Sequence, residues 1–193
     1  MLSAALHDRL RRILKPRRLF EAGLIVAVIL GAQYWQTRDL PEGMAPPLAG
    51  VLIDGSQVKI PGGDPEAGQS KQNTGPGVTP SGAPTLVVFW ATWCPVCSVE
   101  EDNIVSVAQD HRVVSVAMQS GDAATVMKHL KERGIVLPVL VDADGRHAQN
   151  WRVRGVPTHF VVDGAGNIRF RVVGYATTWG LKARLWWAAN VPA

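Results

Sequence analysis

The sequence predicts an α/β protein with a mixed central sheet and helices on both faces. Three observations carry this. From residue 85 onward, short apolar, β-branched runs alternate with segments of helical spacing, in the order β-α-β-α-β-α-β-β-α. The last two of these strands are joined by Asp163-Gly164-Ala165-Gly166, a turn that makes them an antiparallel hairpin. Both cysteines of the 193-residue chain fall at one strand-to-helix junction, in Phe89-Trp90-Ala91-Thr92-Trp93-Cys94-Pro95-Val96-Cys97.

Taken in order, residues 1–18 form a basic tail with Arg9, Arg11, Arg12, Lys15, Arg17 and Arg18 against a single acid, Asp8. Residues 19–35 are apolar apart from Glu21 and Gln33, and 19–36 read as one short transmembrane helix. Seventeen helical residues span about 25 Å against a hydrocarbon core of about 30 Å, so Arg17, Arg18 and Glu21 are expected at one interface and Tyr34 and Trp35 at the other. Basic residues precede the segment and only Arg38 closely follows it. The tail is therefore expected in the cytosol and the remainder across the membrane, as a single-pass protein facing the periplasm or an equivalent exterior. A cleaved signal peptide shares the basic and apolar regions, but Leu30-Gly31-Ala32 makes a poor cleavage site and the aromatic pair suits an anchor.

Residues 37–47, polar and proline-rich, read as a spacer, and 48–193 as the globular domain. Residues 48–53 and 57–60 form a small hairpin turned by Asp54-Gly55. Residues 61–83, dense in Gly, Pro and Ser, read as a flexible loop. Strands are predicted at 85–90, 112–118, 139–141, 158–162 and 167–173. Helices are predicted from the cysteines to about 109, at 122–133 with Gly134 as the stop, near 147–151, and from 178 to about 189. The first of these should bury Val99, Ile104, Val107 and Ala108. Glu100, Glu101 and Asp102 are expected on its solvated face, His159 and the tryptophans of the last helix as packing residues.

The formal charge of +4 does not imply a nucleic-acid partner. Without residues 1–18, the 20 basic and 16 acidic side chains become 14 and 15, a net charge of −1, so the globular part has no electrostatic reason to bind phosphate backbones.

The cysteine spacing carries the chemistry. With Cys94 at a helix start and Cys97 three residues on, both sulfurs lie on one side of the first turn, within disulfide reach. Unpaired N–H groups and the positive dipole end favour a thiolate there, which lowers the Cys94 pKa to roughly 3.5–7.5 in such motifs and makes it the expected nucleophile. Pro95 suits the first helical position because its missing N–H would have had no partner. Cys97 should be shielded and act second. Tetrahedral zinc requires four ligands, and the chain offers one cysteine pair and five scattered histidines. A purely structural staple closing so short a loop removes little chain entropy. No metal and no cofactor beyond the two sulfurs are expected.

Trp93-Cys94-Pro95-x-Cys97 after a strand, Gly155-Val156-Pro157-Thr158 some sixty residues later and a closing hairpin together resemble the thioredoxin superfamily, so a thioredoxin-like fold is implied. The anchor and the domain resemble the membrane-anchored TlpA/ResA/CcmG-like group. Within it, 89–95, Val116-Ala117-Met118-Gln119-Ser120-Gly121 and Gly180-Leu181 through Arg184-Leu185-Trp186-Trp187 are similar to the ScsD type, associated with suppression of copper sensitivity. The resemblance covers about residues 45–190. It implies that Pro157 is a cis-proline lying against the active-site disulfide, that Val156 offers its backbone to an extended substrate segment, and that Trp93 flanks the nucleophile. One position departs from the pattern: where thioredoxin has a buried acid that helps deprotonate the second cysteine, this chain has Val88.

These features imply a periplasmic thiol–disulfide oxidoreductase, acting as a reductase on protein clients. A transmembrane electron donor of the DsbD or ScsB kind would supply it. Two alternatives stand beside this: a CcmG-like reductant in cytochrome c maturation, and a module holding Cu(I) between the two thiolates.

Overall fold

The computed structural model describes residues 16–60 and 82–191. Residues 1–15 of the basic tail and 61–81 of the expected loop lie outside this description. The chain divides into two units, Met1–Arg38 and Asp39–Ala193.

In the first unit, α1 (Pro16–Thr37) occupies the segment expected to be helical. Phe20, Leu24, Ile25, Val26, Val28, Tyr34 and Trp35 are all exposed. Among the described residues, no helix is long and apolar enough to cross a membrane.

The second unit begins earlier than residue 48. The stretch expected to be a spacer is part of the fold: Leu40 and Ala45 are buried, and β1 (Gly43–Met44) pairs antiparallel with β8 (Asn167–Val173). The Ala45 N–H donates to Gly166 O at 2.8 Å, and the Arg171 guanidinium donates to Leu40 O at 3.2 Å and bridges Glu42 at 2.6 Å. Prolines and polar residues hide two apolar anchors there, which is why composition alone suggests a tether.

The remaining elements are β2 (Leu48–Val51), β3 (Gln57–Ile60), β4 (Thr85–Trp90), α2 (Pro95–Ala108), β5 (Arg112–Met118), α3 (Ala123–Arg133), β6 (Val139–Asp142), α4 (Arg146–Asn150), β7 (Thr158–Val162) and α5 (Thr178–Asn190). The sheet runs β1-β8-β7-β4-β5-β6. β4, β5 and β6 are parallel, as helical crossovers require, whereas β7 is antiparallel to β4 and β8 to β7. The mixed α/β sheet expected from sequence is thus present. The β2–β3 hairpin lies beside the β6 edge, with Leu52 bridging Leu140 and the Ile53 N–H donating to Val139 O at 2.9 Å.

Strand alternation divides the core. Leu86 and Val88 meet Ile104 and Val107 of α2 and Leu181, Leu185 and Ala188 of α5. Trp90 and Ala117 meet Val126 and Leu130 of α3. On the opposite face, Val87, Phe89 and Phe160 meet Trp151, Leu48, Val58 and Ile60, so the hairpin shares the cover of this face with the short α4 and with Leu40 and Ala45. Trp151 packs against Phe160 and Phe89, with ring centroids at 4.9 and 5.7 Å. Asp122 caps α3 by accepting from Thr125 Oγ1 at 2.7 Å and Thr125 N at 2.9 Å, which holds its carboxyl below the usual range. Gly134, at φ 66°, ends the helix as expected.

In the β7–β8 turn, a Cβ on Gly164 would lie 2.5 Å from the backbone carbon of Gly82. Backbone cannot swing aside as a side-chain end can. Gly164→Ala is therefore expected to lower stability by about 1–3 kcal/mol, read as a lower denaturant midpoint with an unchanged slope.

Candidate active site

β4 ends at Trp90, and a tight turn, with the Cys94 N–H donating to Ala91 O at 3.1 Å, delivers the chain to α2. Cys94 is the N-cap residue of that helix and Pro95 its first residue, as the spacing requires. Cys94 and Cys97 form a disulfide across the first turn, with Cα atoms 5.3 Å apart. The Cys97 N–H donates to Cys94 Sγ at 3.2 Å, so an orphan amide of the helix start is aimed at the sulfur where thiolate charge would develop.

Opposite the disulfide, the Val156–Pro157 bond is cis, and Val156 O lies 3.5 Å from Cys94 Sγ. Pro157 is buried while Val156 is half-buried, and Pro157 O accepts from the Gly174 N–H at 2.8 Å, tying this turn to the end of β8. Trp93 and Pro95 are exposed beside the sulfur. The Trp93 indole N–H donates to Gln119 O at 3.0 Å, and the Thr92 N–H donates to Ser120 Oγ at 3.1 Å. The loop after β5, with Gln119 at φ 47° and Gly121 at φ 84°, thereby braces the cysteine turn from a neighbouring strand. Cys94, Cys97, Trp93, Pro95, Val156 and Pro157 are brought together.

Cys97 is shielded as expected, 3% exposed, and in the disulfide form Cys94 is nearly as buried, at 5%. What distinguishes Cys94 is its cap position and the carbonyl facing it. Val99, expected inside, is exposed. Glu100 and Glu101, expected in solvent, are buried, because α2 turns that side toward β4, β7 and α3.

The burial of these acids is supported by partners. Glu100 Oε2 lies 2.9 Å from His159 Nε2, and Glu100 Oε1 accepts from the Ala176 N–H. His159 pairs across the sheet with Val88. Glu101 meets His129 at 3.0 Å and the Arg133 guanidinium. Asn103, one turn further, donates to Ala176 O at 3.0 Å and accepts from Thr178 Oγ1 at 3.0 Å. The cysteine helix is thus stitched to β7, α3 and the start of α5 by polar contacts. Beneath Cys97 is a pocket of about 20 Å³, room for one water, lined in part by Val88, Trp90, Glu100, Glu101 and Ser115. Cys97 lines the same pocket, so two helix carboxyls share it with the second sulfur where Val88 brings none.

The sequence holds a signal for this arrangement. Glu100 follows Cys97 by three residues, which places both on one helix face, and His159 lies in a strand whose other residues are apolar or Thr. A histidine there requires a partner.

Comparisons with known proteins agree with the geometry. The family model described as Redoxin matches residues 64–182. A thioredoxin-like protein of Haemophilus influenzae is 36% identical over 106 residues, 54% of this chain and 63% of that protein. The thiol:disulfide interchange protein DsbE of Escherichia coli is 36% identical over 111 residues, 56% of this chain and 57% of that one. The chain therefore spans only about three-fifths of the length of these relatives. The crystal structure of a thioredoxin family thiol:disulfide interchange protein from Chlorobium tepidum superimposes with a TM-score of 0.58 at 24% identity, covering 79% of this chain and 99% of that one. At that identity the likeness concerns the thioredoxin-like fold.

Proposed function

We propose, for a chain that belongs to the thioredoxin-like Redoxin family, that it is a thiol–disulfide oxidoreductase working through Cys94 and Cys97 and acting as a disulfide reductase on other proteins. The observation that carries this reading is the disulfide at the tip of α2, with a helix amide donating to Cys94 Sγ and Val156 O facing the same atom. In the reduced protein, Cys94 thiolate attacks one sulfur of a client disulfide. A mixed disulfide forms and the other client sulfur leaves as thiolate. Cys97 then loses its proton and attacks Cys94 Sγ, releasing the second client thiol and closing the Cys94–Cys97 disulfide. Two electrons pass to the client, and a dithiol donor must restore them. One of the two carboxylates that line the pocket with Cys97, Glu100 or Glu101, takes its proton.

With a small dithiol as electron source, the protein is expected to accelerate reduction of a model protein disulfide. Cys94→Ser should fall to the rate of the dithiol alone. Equal rates for the two proteins would overturn the reading.

The setting is part of the proposal. α1 exposes a run of large apolar side chains ending in Tyr34 and Trp35, and a basic tail precedes it. We assign it to an inner membrane, with flanking residues making up its short apolar length, the tail in the cytosol and the domain in the periplasm. A transmembrane donor of the DsbD or ScsB type would then share that surface. Copper tolerance, by similarity to the ScsD type, is the proposed physiological role. The DsbE relative favours a second reading, a CcmG-like reductant in cytochrome c maturation. Deleting the protein discriminates them: loss of copper tolerance with normal holocytochrome supports the first, and loss of holocytochrome the second.

A further inference from the structure

We propose that the outer face of α5 is a lipid-binding surface that lays the domain flat against an anionic bilayer. This goes beyond the exchange chemistry, and it rests on the membrane setting proposed above only for the place where the surface is used. The buried stripe of α5, Leu181, Leu185 and Ala188, packs on the sheet. At 100° per residue, Trp179, Ala183, Trp186 and Trp187 fall on the opposite side. The three tryptophans, expected from sequence to be packing residues, are 84%, 61% and 48% exposed.

The chemistry of that face favours lipid. Indole is the side chain most at home at the boundary between headgroups and acyl chains, where its ring is apolar and its N–H stays wet. A helix that lies in this boundary carries aromatic residues on one face and cations at its margins. α5 contains no Asp or Glu, and on the same helical count Lys182 and Arg184 flank the tryptophan face on its two sides. Lys182 bridges Asp110. Arg184 donates to Gly180 O at 2.8 Å and has no carboxylate partner among the described residues, which leaves its charge for a phosphate. A second copy of the chain fits less well. The three indoles expose on the order of 400 Å², about half the ~800 Å² that each partner buries in a stable protein interface.

The test uses the full chain mixed with vesicles of phosphatidylglycerol and phosphatidylcholine whose acyl chains are brominated near the headgroup end. Emission from the face is isolated as the difference between the parent chain and W179F/W186F/W187F, a variant that keeps the face apolar and should retain disulfide reduction. The difference emission is expected to shift to the blue and lose most of its intensity with phosphatidylglycerol present, and to change less in phosphatidylcholine alone. Arg184→Gln should reduce that lipid preference. The proposal is overturned if both chains sediment with vesicles while the difference emission stays water-like and unquenched, a result that leaves the attachment through α1 standing. It is equally overturned if the face becomes shielded without vesicles as protein concentration rises, the behaviour of a self-association surface. Failure of both chains to sediment removes this proposal together with the membrane setting, and leaves the exchange chemistry untouched.

Discussion

Cys97→Ser is expected to accumulate as a covalent adduct with its client, joined through Cys94. The expectation follows from the two-step exchange. In the parent protein, the mixed disulfide is attacked by a thiol three residues away on the same helical turn, with Cα atoms 5.3 Å apart in the closed form. Such a group acts at an effective concentration far above that of any free thiol, so its removal should lengthen the adduct's lifetime by roughly a thousandfold. Serine keeps the size of the residue over the pocket and cannot displace a disulfide. The adducts should be visible on non-reducing gels, vanish with added dithiol, and be absent from the Cys94→Ser and double variants. If adducts formed equally through the parent protein, resolution by Cys97 would be wrong.

The second large effect is on stability. Glu100→Ala is expected to destabilise the domain by about 3–5 kcal/mol, a substantial part of the 5–15 kcal/mol typical of whole domains. Glu100 is 1% exposed, and its two oxygens satisfy His159 and the Ala176 amide, both deep in the fold. Alanine would leave a buried imidazole and a buried N–H facing each other's vacated partner, and neither could recover its hydration. Glu100→Gln, which keeps the shape and one oxygen, should restore much of the loss. Glu101→Ala should cost less, because His129 and Arg133 are 19% and 42% exposed and water can replace the carboxylate. Thermal or urea melts read this order directly. A loss for Glu100→Ala no greater than that for Glu101→Ala would show that the buried pair does not hold α2 to β7.

The strands and helices were legible because their signals are local. Asp163-Gly164-Ala165-Gly166 names a hairpin, Gly134 a helix stop, and the alternation of Val, Ile and aromatic residues marks buried strands. The cysteine turn was legible for the same reason. What escaped depends on partners distant in sequence. Whether Glu100 faces water or the core is decided by His159, 59 residues away, and by the Ala176 amide, 76 away. The tether that proved to be an edge strand depends on β8, and Val99 is exposed because its side of α2 meets no neighbouring element that a helical period could reveal. On α5 the period correctly picked out a buried stripe, but large aromatic residues suggested packing where the sheet had already been covered by Leu181 and Leu185.

The depth at which Cys94 sits sets a steric filter on what the protein can touch. At 5% exposure, with Trp93 on one flank and Val156 on the other, its sulfur is approached along a narrow line. Rigid, well-folded neighbours keep their crosslinks inside convex surfaces that do not fit this line, whereas loose chain ends and unfinished proteins can thread a sulfur into it. For the proposed reductase, shape alone would then discriminate between finished and unfinished proteins.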